Sequence, residues 1–265
     1  MDFTQRPEGA PRDFVSLLRS QGWLPPVTPV GPPQGGAPVE VQATTILAFK
    51  FRDGVLVAGD RRATAGNIVM YDRADKVLEI DRSSVMAIAG APATAWEMAR
   101  VLEHSFQYYR RSQLQEMSVE GKVRALSKLL RDNLGMVMQG VGVVVPLFAT
   151  YDHGSSDPAK VYFYDAMGAQ FEAADYAASG SGSPAVRSVL YYQNRWGNGP
   201  VRELDETSAV RLALQALDTA AEADTATGGV DRAGKIYPIL KVVNAQGIRT
   251  LPDTQLAELY QFGNS

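Results

Sequence analysis

The sequence predicts an α+β protein in which antiparallel sheets pack face to face, with paired helices outside them. Three observations lead there. Strand-like runs and helical periodicities come in groups, in the order strands, two helices, strands, two helices, strands. Strand and helix therefore do not alternate one for one, as βαβ units with a parallel sheet require. The first 43 residues stand apart, with 8 of the 15 prolines. Proline locks φ and removes a backbone donor, so this leader cannot pair into a central strand.

In chain order, the leader contains one helical spacing, DFVSLLRSQGW. Phe14, Leu17 and Leu18 share a face there, with Trp23 beyond Gly22. It reads either as a disordered tail with one sticky turn or as a prosegment whose short helix docks on a partner or on its own domain. The threonine pair that opens the strand-rich region directly after the leader favours the prosegment. From Thr44 the pattern changes. TTILAFKF and GVLVAGD are two strands joined at Arg52-Asp53-Gly54, where Asp-Gly signals a hairpin. NIVMYD, KVLEID and SVMAIAG are three more short strands. Residues 92–112 form a helix with Trp96, Ala99, Leu102 and Phe106 on one stripe. Residues 118–138 form a second, with Ser118 as N-cap and Val119, Val123, Leu126, Leu130 and Val137 aligned. VVVPLFATYD, KVYFYDA and QFEAADYAAS return to strand. Helices come next at about 184–195 and 206–222, then the hairpin YPILKVV-NAQG-IRTL and a last helix near 253–262.

Composition narrows the chemistry. The 265 residues carry a formal net charge of −3, so no basic field points to nucleic acid. There is no cysteine, which removes disulfides, thiolate nucleophiles and cysteine metal sites. His104 and His153 are the only histidines, which argues against a histidine metal cluster and against a Ser/His triad. No apolar run approaches the roughly 20 residues of a membrane span, and the N-terminus lacks the pattern of a signal peptide. Walker, HExxH and GxSxG motifs are absent, and the glycine-rich stretches at 140–142 and 179–183 do not complete a dinucleotide fingerprint.

What remains is a hydroxyl nucleophile, which needs a base because its own pKa is far too high. Cleavage between Ala43 and Thr44 would give Thr44 a free α-amine with a pKa of about 7.7–8.0. A nearby lysine cation would lower it, making an effective general base on the nucleophile's own residue. The leader would keep that amine as an inert amide until cleavage. A lysine and a carboxylate should come from neighbouring strands, and Asp60 and Lys76 stand 16 and 32 residues beyond Thr44. Taken singly, each has an ordinary reading: Thr44 a β-branched strand residue, Asp60 a strand-end turn, Lys76 a solvated edge, Ser181 and Asp224 loops flanking helices.

TTI at 44–46, GDRRAT at 59–64, Lys76, Ala89-Gly90, SGSGS at 179–183 and DTATGG at 224–229 together resemble the β subunit of the 20S proteasome, over essentially all of residues 44–265. The long leader and Thr227-Gly228-Gly229 look most like the actinobacterial type. The resemblance implies an N-terminal nucleophile hydrolase with a four-layer α-β-β-α sandwich, preceded by a propeptide of residues 1–43. It implies Thr44 as nucleophile and, through its amine, base. Lys76 corresponds to the lysine that lowers the threonine's pKa, and Asp60 to the aspartate that fixes that lysine. Gly90 corresponds to the oxyanion donor, Ser181 and Asp224 to the pair that orients the amine. Thr227 stands where many relatives have serine and keeps the hydroxyl.

The positions matching the family's S1 pocket are Ala63, Ala74, Leu78, Ile88, Pro92 and Trp96. None is charged, which implies cleavage after apolar residues, the chymotrypsin-like class. Trp96 also reads as core on its helix. The peptide would lie as an added strand between Thr64 and the segment after Gly90. Two positions depart from the family pattern. Ala43 replaces the usual glycine before the nucleophile. Pro92 stands where an alanine N–H commonly faces substrate, so either one contact is lost or the register there differs by a residue.

The resemblance further implies a cytoplasmic particle of 28 subunits, with two stacked heptameric β rings between two α rings. An ATPase ring would feed unfolded polypeptide through the α subunits; no cofactor or metal, nucleic acid or membrane is expected. Two alternatives stand beside this: the shorter HslV-type peptidase, and a non-catalytic structural or assembly subunit on the same fold. The 222 residues after the leader argue against the first, and retention of Thr44, Asp60 and Lys76 together against the second.

Overall fold

The computed structural model describes residues 44–65, 68–231 and 233–261. The leader, with Phe14, Leu17, Leu18, Trp23 and Ala43, the residue expected before the cleaved bond, lies outside them. The described strands are β1 (Thr45–Phe51), β2 (Gly54–Gly59), β3 (Ala63–Ala65), β4 (Ile68–Tyr71), β5 (Val77–Glu79), β6 (Ser84–Ala87), β7 (Leu147–Tyr151), β8 (Ala159–Tyr164), β9 (Gln170–Glu172), β10 (Tyr176–Gly180), β11 (Ile239–Asn244) and β12 (Gly247–Thr250). The described helices are α1 (Pro92–Gln113), α2 (Val119–Asp132), α3 (Leu134–Val137), α4 (Ser183–Trp196), α5 (Glu206–Ala223) and α6 (Asp253–Gln261). One sheet runs β10-β1-β2-β11-β12 and the other β5-β6-β7-β8-β9, with β3 and β4 as a separate ribbon; every pairing is antiparallel.

Three apolar cores separate four layers. Leu47, Phe49, Leu56, Leu240 and Val242 pack the outer face of the first sheet against α4, α5 and α6. Ile46, Ala48, Val55 and Val57 meet Val77, Val85, Leu147 and Val161 between the sheets. Met86, Phe148 and Tyr164 pack the second sheet against α1 and α2. This is the α-β-β-α sandwich expected. Successive residues of β1 serve opposite cores because side chains alternate across a strand, so β1 is buried along its whole length.

Most elements match their sequence signals, and the differences have physical causes. The expected helix 118–138 is two. Ser118 caps α2 by accepting from the Gly121 N–H at 3.2 Å, but the helix stops at Asn133, whose side chain donates to the Gly142 carbonyl at 2.7 Å. Val137 therefore belongs to α3 and is not part of the α2 stripe. On α1 the buried stripe is Ala95, Met98, Ala99, Leu102 and Phe106; Trp96 is 45% exposed and outside the core. The run QFEAADYAAS is two strands in different sheets, since β9 ends the second sheet and β10 edges the first. The 173–175 segment crosses between them, tied by the Lys50 N–H to Asp175 O and the Ala173 N–H to Val161 O. The strand expected from residue 143 begins only at Leu147, after Pro146, which has no N–H for the ladder.

Gly54 is glycine for a reason the turn signal does not give. It opens β2 opposite Asn244, and a Cβ there would lie 2.3 Å from the Val243 carbonyl oxygen. Gly54→Ala must push β11 away and is expected to cost about 1–3 kcal/mol. Melting measurements should show the midpoint falling by roughly 2–4 °C per kcal/mol, as for domains of this size.

Candidate active site

Asp60 follows β2 and is fully buried. Its Oδ1 accepts from the Thr45 N–H at 2.8 Å and from Lys76 Nζ at 2.7 Å. Its Oδ2 accepts from the Arg62 N–H and the Gly228 N–H, each at 2.9 Å. Four donors from four segments thus converge on one carboxylate. The Asp60 N–H in turn donates to the Thr45 carbonyl at 3.0 Å. A buried carboxylate is tolerable only when so paired.

Lys76 is buried, not on a solvated edge. Besides Asp60, its Nζ donates to the Arg62 carbonyl. Burial pushes its pKa below the ordinary value, with the Arg62 charge acting the same way, and the opposing attraction of Asp60 does not restore it. Its carbonyl accepts from the Ile88 N–H at 2.9 Å, which ties the lysine to the segment leading into Gly90.

Thr44 immediately precedes β1. Strand parity puts it on the face of Ile46, toward the second sheet and Lys76, and puts Thr45 on the face of Leu47, toward the helices. The Thr44 carbonyl accepts from the Ser181 N–H at 3.0 Å. Gly180 makes that approach feasible: its φ is +93° and a Cβ would fall 1.8 Å from Thr44 O. On the helix side, Asp224 Oδ2 accepts from Ser181 Oγ and Thr227 Oγ1, each at 2.6 Å. Thr227 Oγ1 is also 2.6 Å from Thr45 Oγ1, which accepts from the Gly182 N–H at 2.9 Å. Burial acts to raise the Asp224 pKa, but the hydroxyl donors and the Ala226 N–H outweigh it and hold the carboxyl below its ordinary value.

Gly90 has a φ of +105°, and a Cβ there would lie 2.0 Å from the Val143 carbonyl oxygen. Its neighbours are bridged, Val145 N–H to Ala89 O and Ala91 N–H to Val143 O. Gly90 and Gly180 line one cavity of about 390 Å³. Of the apolar positions expected to set specificity, Ala74 and Ile88 are buried, Ala63, Leu78 and Pro92 half-buried, and Trp96 exposed. Pro92 opens α1, where a missing N–H leaves no helical bond unmade. Thr64 is buried in β3, beside a bulge against β4.

The sequence reasoning thus named Asp60, Lys76, Ser181, Asp224 and Thr227, which the fold joins in two hydrogen-bonded clusters. It passed over Thr45, Arg62, Gly182 and Gly228, although all lie inside the same motifs. Arg62 contributes its N–H, its carbonyl and a guanidinium that donates to the Thr225 and Thr227 carbonyls at 3.0 and 3.2 Å. Gly228 leaves room for it, since a Cβ would sit 2.9 Å from Arg62 Cβ. The signal available was a second hydroxyl beside Thr44 and the glycine pairs.

Asp60→Asn leaves Lys76 buried without its counter-ion and is expected to cost about 3–5 kcal/mol, read by chemical denaturation. Asp224 gives a pH test. Its folded pKa lies below 3.8, so its stabilisation is present above 3.8 and lost as pH falls through the lowered folded value. Melting curves of Asp224→Asn should lose less stability over that acid range than those of the unmodified chain.

Comparison with known proteins agrees with this geometry. The family model for the proteasome subunit matches residues 40–236. Proteasome subunit beta 2 of Thermomonospora curvata is 40% identical over 247 residues, covering 93% of this chain and 85% of that protein. Proteasome subunit beta of Acidothermus cellulolyticus is 40% identical over 225 residues, covering 83% and 75%. Proteasome subunit beta of Streptomyces griseus is 39% identical over 228 residues, covering 86% and 78%. By its sandwich, its motifs and this similarity along nearly its whole length, the chain belongs to the proteasome β-subunit family.

Proposed function

We propose that this chain is a self-processing threonine endopeptidase, the catalytic β subunit of a 20S proteasome core. The observation that carries the reading is the buried Asp60–Lys76 pair hydrogen-bonded to the residue next to Thr44. Residues 1–43 act as a propeptide, removed by cleavage between Ala43 and Thr44. The freed α-amine takes the Thr44 hydroxyl proton as Oγ attacks the substrate carbonyl. Lys76, with its lowered pKa, supplies the positive field and exchanges the proton; Asp60 fixes it. The Gly90 N–H faces the developing oxyanion, a donor worth roughly 3–4 kcal/mol in comparable sites. Ser181, Asp224 and Thr227 orient the amine. The amine then gives that proton to the peptide nitrogen as the C–N bond breaks and the first product leaves, forming the threonine ester. Water attacks the ester carbonyl, its proton passing through the amine to Thr44 Oγ as the C–O bond breaks and the acid product departs.

The uncharged set Ala63, Ala74, Leu78, Ile88, Pro92 and Trp96 favours apolar residues before the cleaved bond, and Thr64 pairs with the peptide backbone. Without an N–H at Pro92, main-chain binding on that side is one donor poorer. The chain assembles into a heptameric β ring, two such rings stacking between α rings in the cytoplasm, where an ATPase ring supplies unfolded polypeptide. Sequestering the site in this way gives the delayed exposure of Thr44 its purpose. Among the described residues, no helix is long and apolar enough to cross a membrane.

The test is intact mass and N-terminal sequencing after co-assembly with an α subunit. A new N-terminus at Thr44, absent in Thr44→Ala, is expected; persistence of the full 28.7 kDa chain in complete particles overturns self-processing. In particles whose Thr44 is exposed, Lys76→Ala should lower hydrolysis of a peptide with an apolar residue before the cleaved bond by about 10²–10⁴-fold. Peptides with a charged residue there should be cleaved more slowly by the unmodified enzyme.

A further inference from the structure

Thr45 is fully buried and every polar atom it owns is committed. Its N–H donates to Asp60 Oδ1 and its carbonyl accepts from the Asp60 N–H. The direction of its hydroxyl bond is set by its neighbours. An ionised carboxylate only accepts, so Thr227 gives its single hydroxyl proton to Asp224. The 2.6 Å contact between the two threonine oxygens then requires Thr45 to donate to Thr227. The remaining lone pair of Thr45 takes the Gly182 N–H. The chain of bonds is one-way: Gly182 N–H to Thr45, Thr45 to Thr227, Thr227 to Asp224, with Ser181 arriving at the same carboxylate oxygen. Water has no access to the Thr45–Thr227 link, since both threonines are fully buried and even a methyl on Gly182 would lie 2.5 Å from Thr45 Oγ1.

We infer that Thr45 is a positioning residue for Thr44, joining the Asp60–Lys76 pair to the Asp224–Ser181 pair across the strand that carries the nucleophile. This rests on the proposed peptidase activity of Thr44. Thr45 is bonded to both clusters, by its backbone on one side and its hydroxyl on the other. Without the hydroxyl, Thr227 loses the donor that aims it at Asp224, and the loop bearing Ser181 and Gly182 loses its side-chain tie to β1. Thr44 would keep all its own groups yet sit less well fixed.

The experiment compares Thr45→Val, nearly isosteric, and Thr45→Ser, which keeps the hydroxyl, in assembled particles with processed N-termini. Thr45→Val should lower kcat by about 10–100-fold, as for loss of a buried hydrogen-bond partner, with KM within about twofold. Thr45→Ser should recover most of kcat. In a Thr227→Val background, Thr45→Val should add little further loss, because the two act through one chain of bonds. Should Thr45→Val fail to assemble, Thr45→Cys, with a weak donor of similar shape, replaces it. Unchanged kcat with only a lower melting temperature overturns the positioning role alone. Absence of Thr44-dependent hydrolysis in unmodified particles overturns the peptidase reading, and the positioning role with it.

Discussion

The Asp60 carboxylate sets the conditions for everything around it. Removing a carboxylate from water costs several kcal/mol unless its oxygens are filled. Here both are, by Lys76, by two backbone N–H groups from the motifs at 59–64 and 224–229, and by the N–H of Thr45. Each partner comes from a different part of the chain. The carboxylate therefore fixes the start of β1, the end of β2, the residue leading into β5 and the loop after α5 relative to one another. Displacing any of them strands a buried charge.

Burial of a lysine does not by itself mark such a place. Lys50, at the other end of β1 on its inter-sheet face, and Lys122 on α2 are just as buried and just as paired. The partners of Lys50, Asp157 and Glu172, reach solvent at the crossover between the sheets, where they act as an ionic clasp with Arg202 and Lys160. Lys122 holds the Asp81 turn against α2. Lys76 differs in that its carboxylate is shared with the strand end that carries two adjacent hydroxyls.

The double layer of sheets explains why adjacent threonines do different work. With both faces of β1 covered, consecutive residues enter different cores and meet different clusters. Parity sends one threonine toward Lys76 and the other toward Thr227. Close approach of backbones then demands glycine at Gly180, whose positive φ and contact with the Thr44 carbonyl exclude any side chain. The same holds at Gly90 against Val143.

By itself the sequence determined the order and kind of the elements, because periodicity is local and survives without knowledge of contacts. It also presented Thr44, Asp60, Lys76, Ser181, Asp224 and Thr227 as a set, because their motifs are short and ordered. Local signals could not decide where a continuous apolar run changes sheet, as at 173–175, nor that a helical pattern breaks at Asn133, whose side chain turns to a distant carbonyl. They could not tell Trp96 from a core residue, since a stripe one position wide of the true one has the same spacing. Nor could they rank Thr45 and Arg62, whose longest bonds reach 182 and 165 residues along the chain. Those roles depend on which segments the packed sheets bring within hydrogen-bonding reach, and only the tertiary structure decides that.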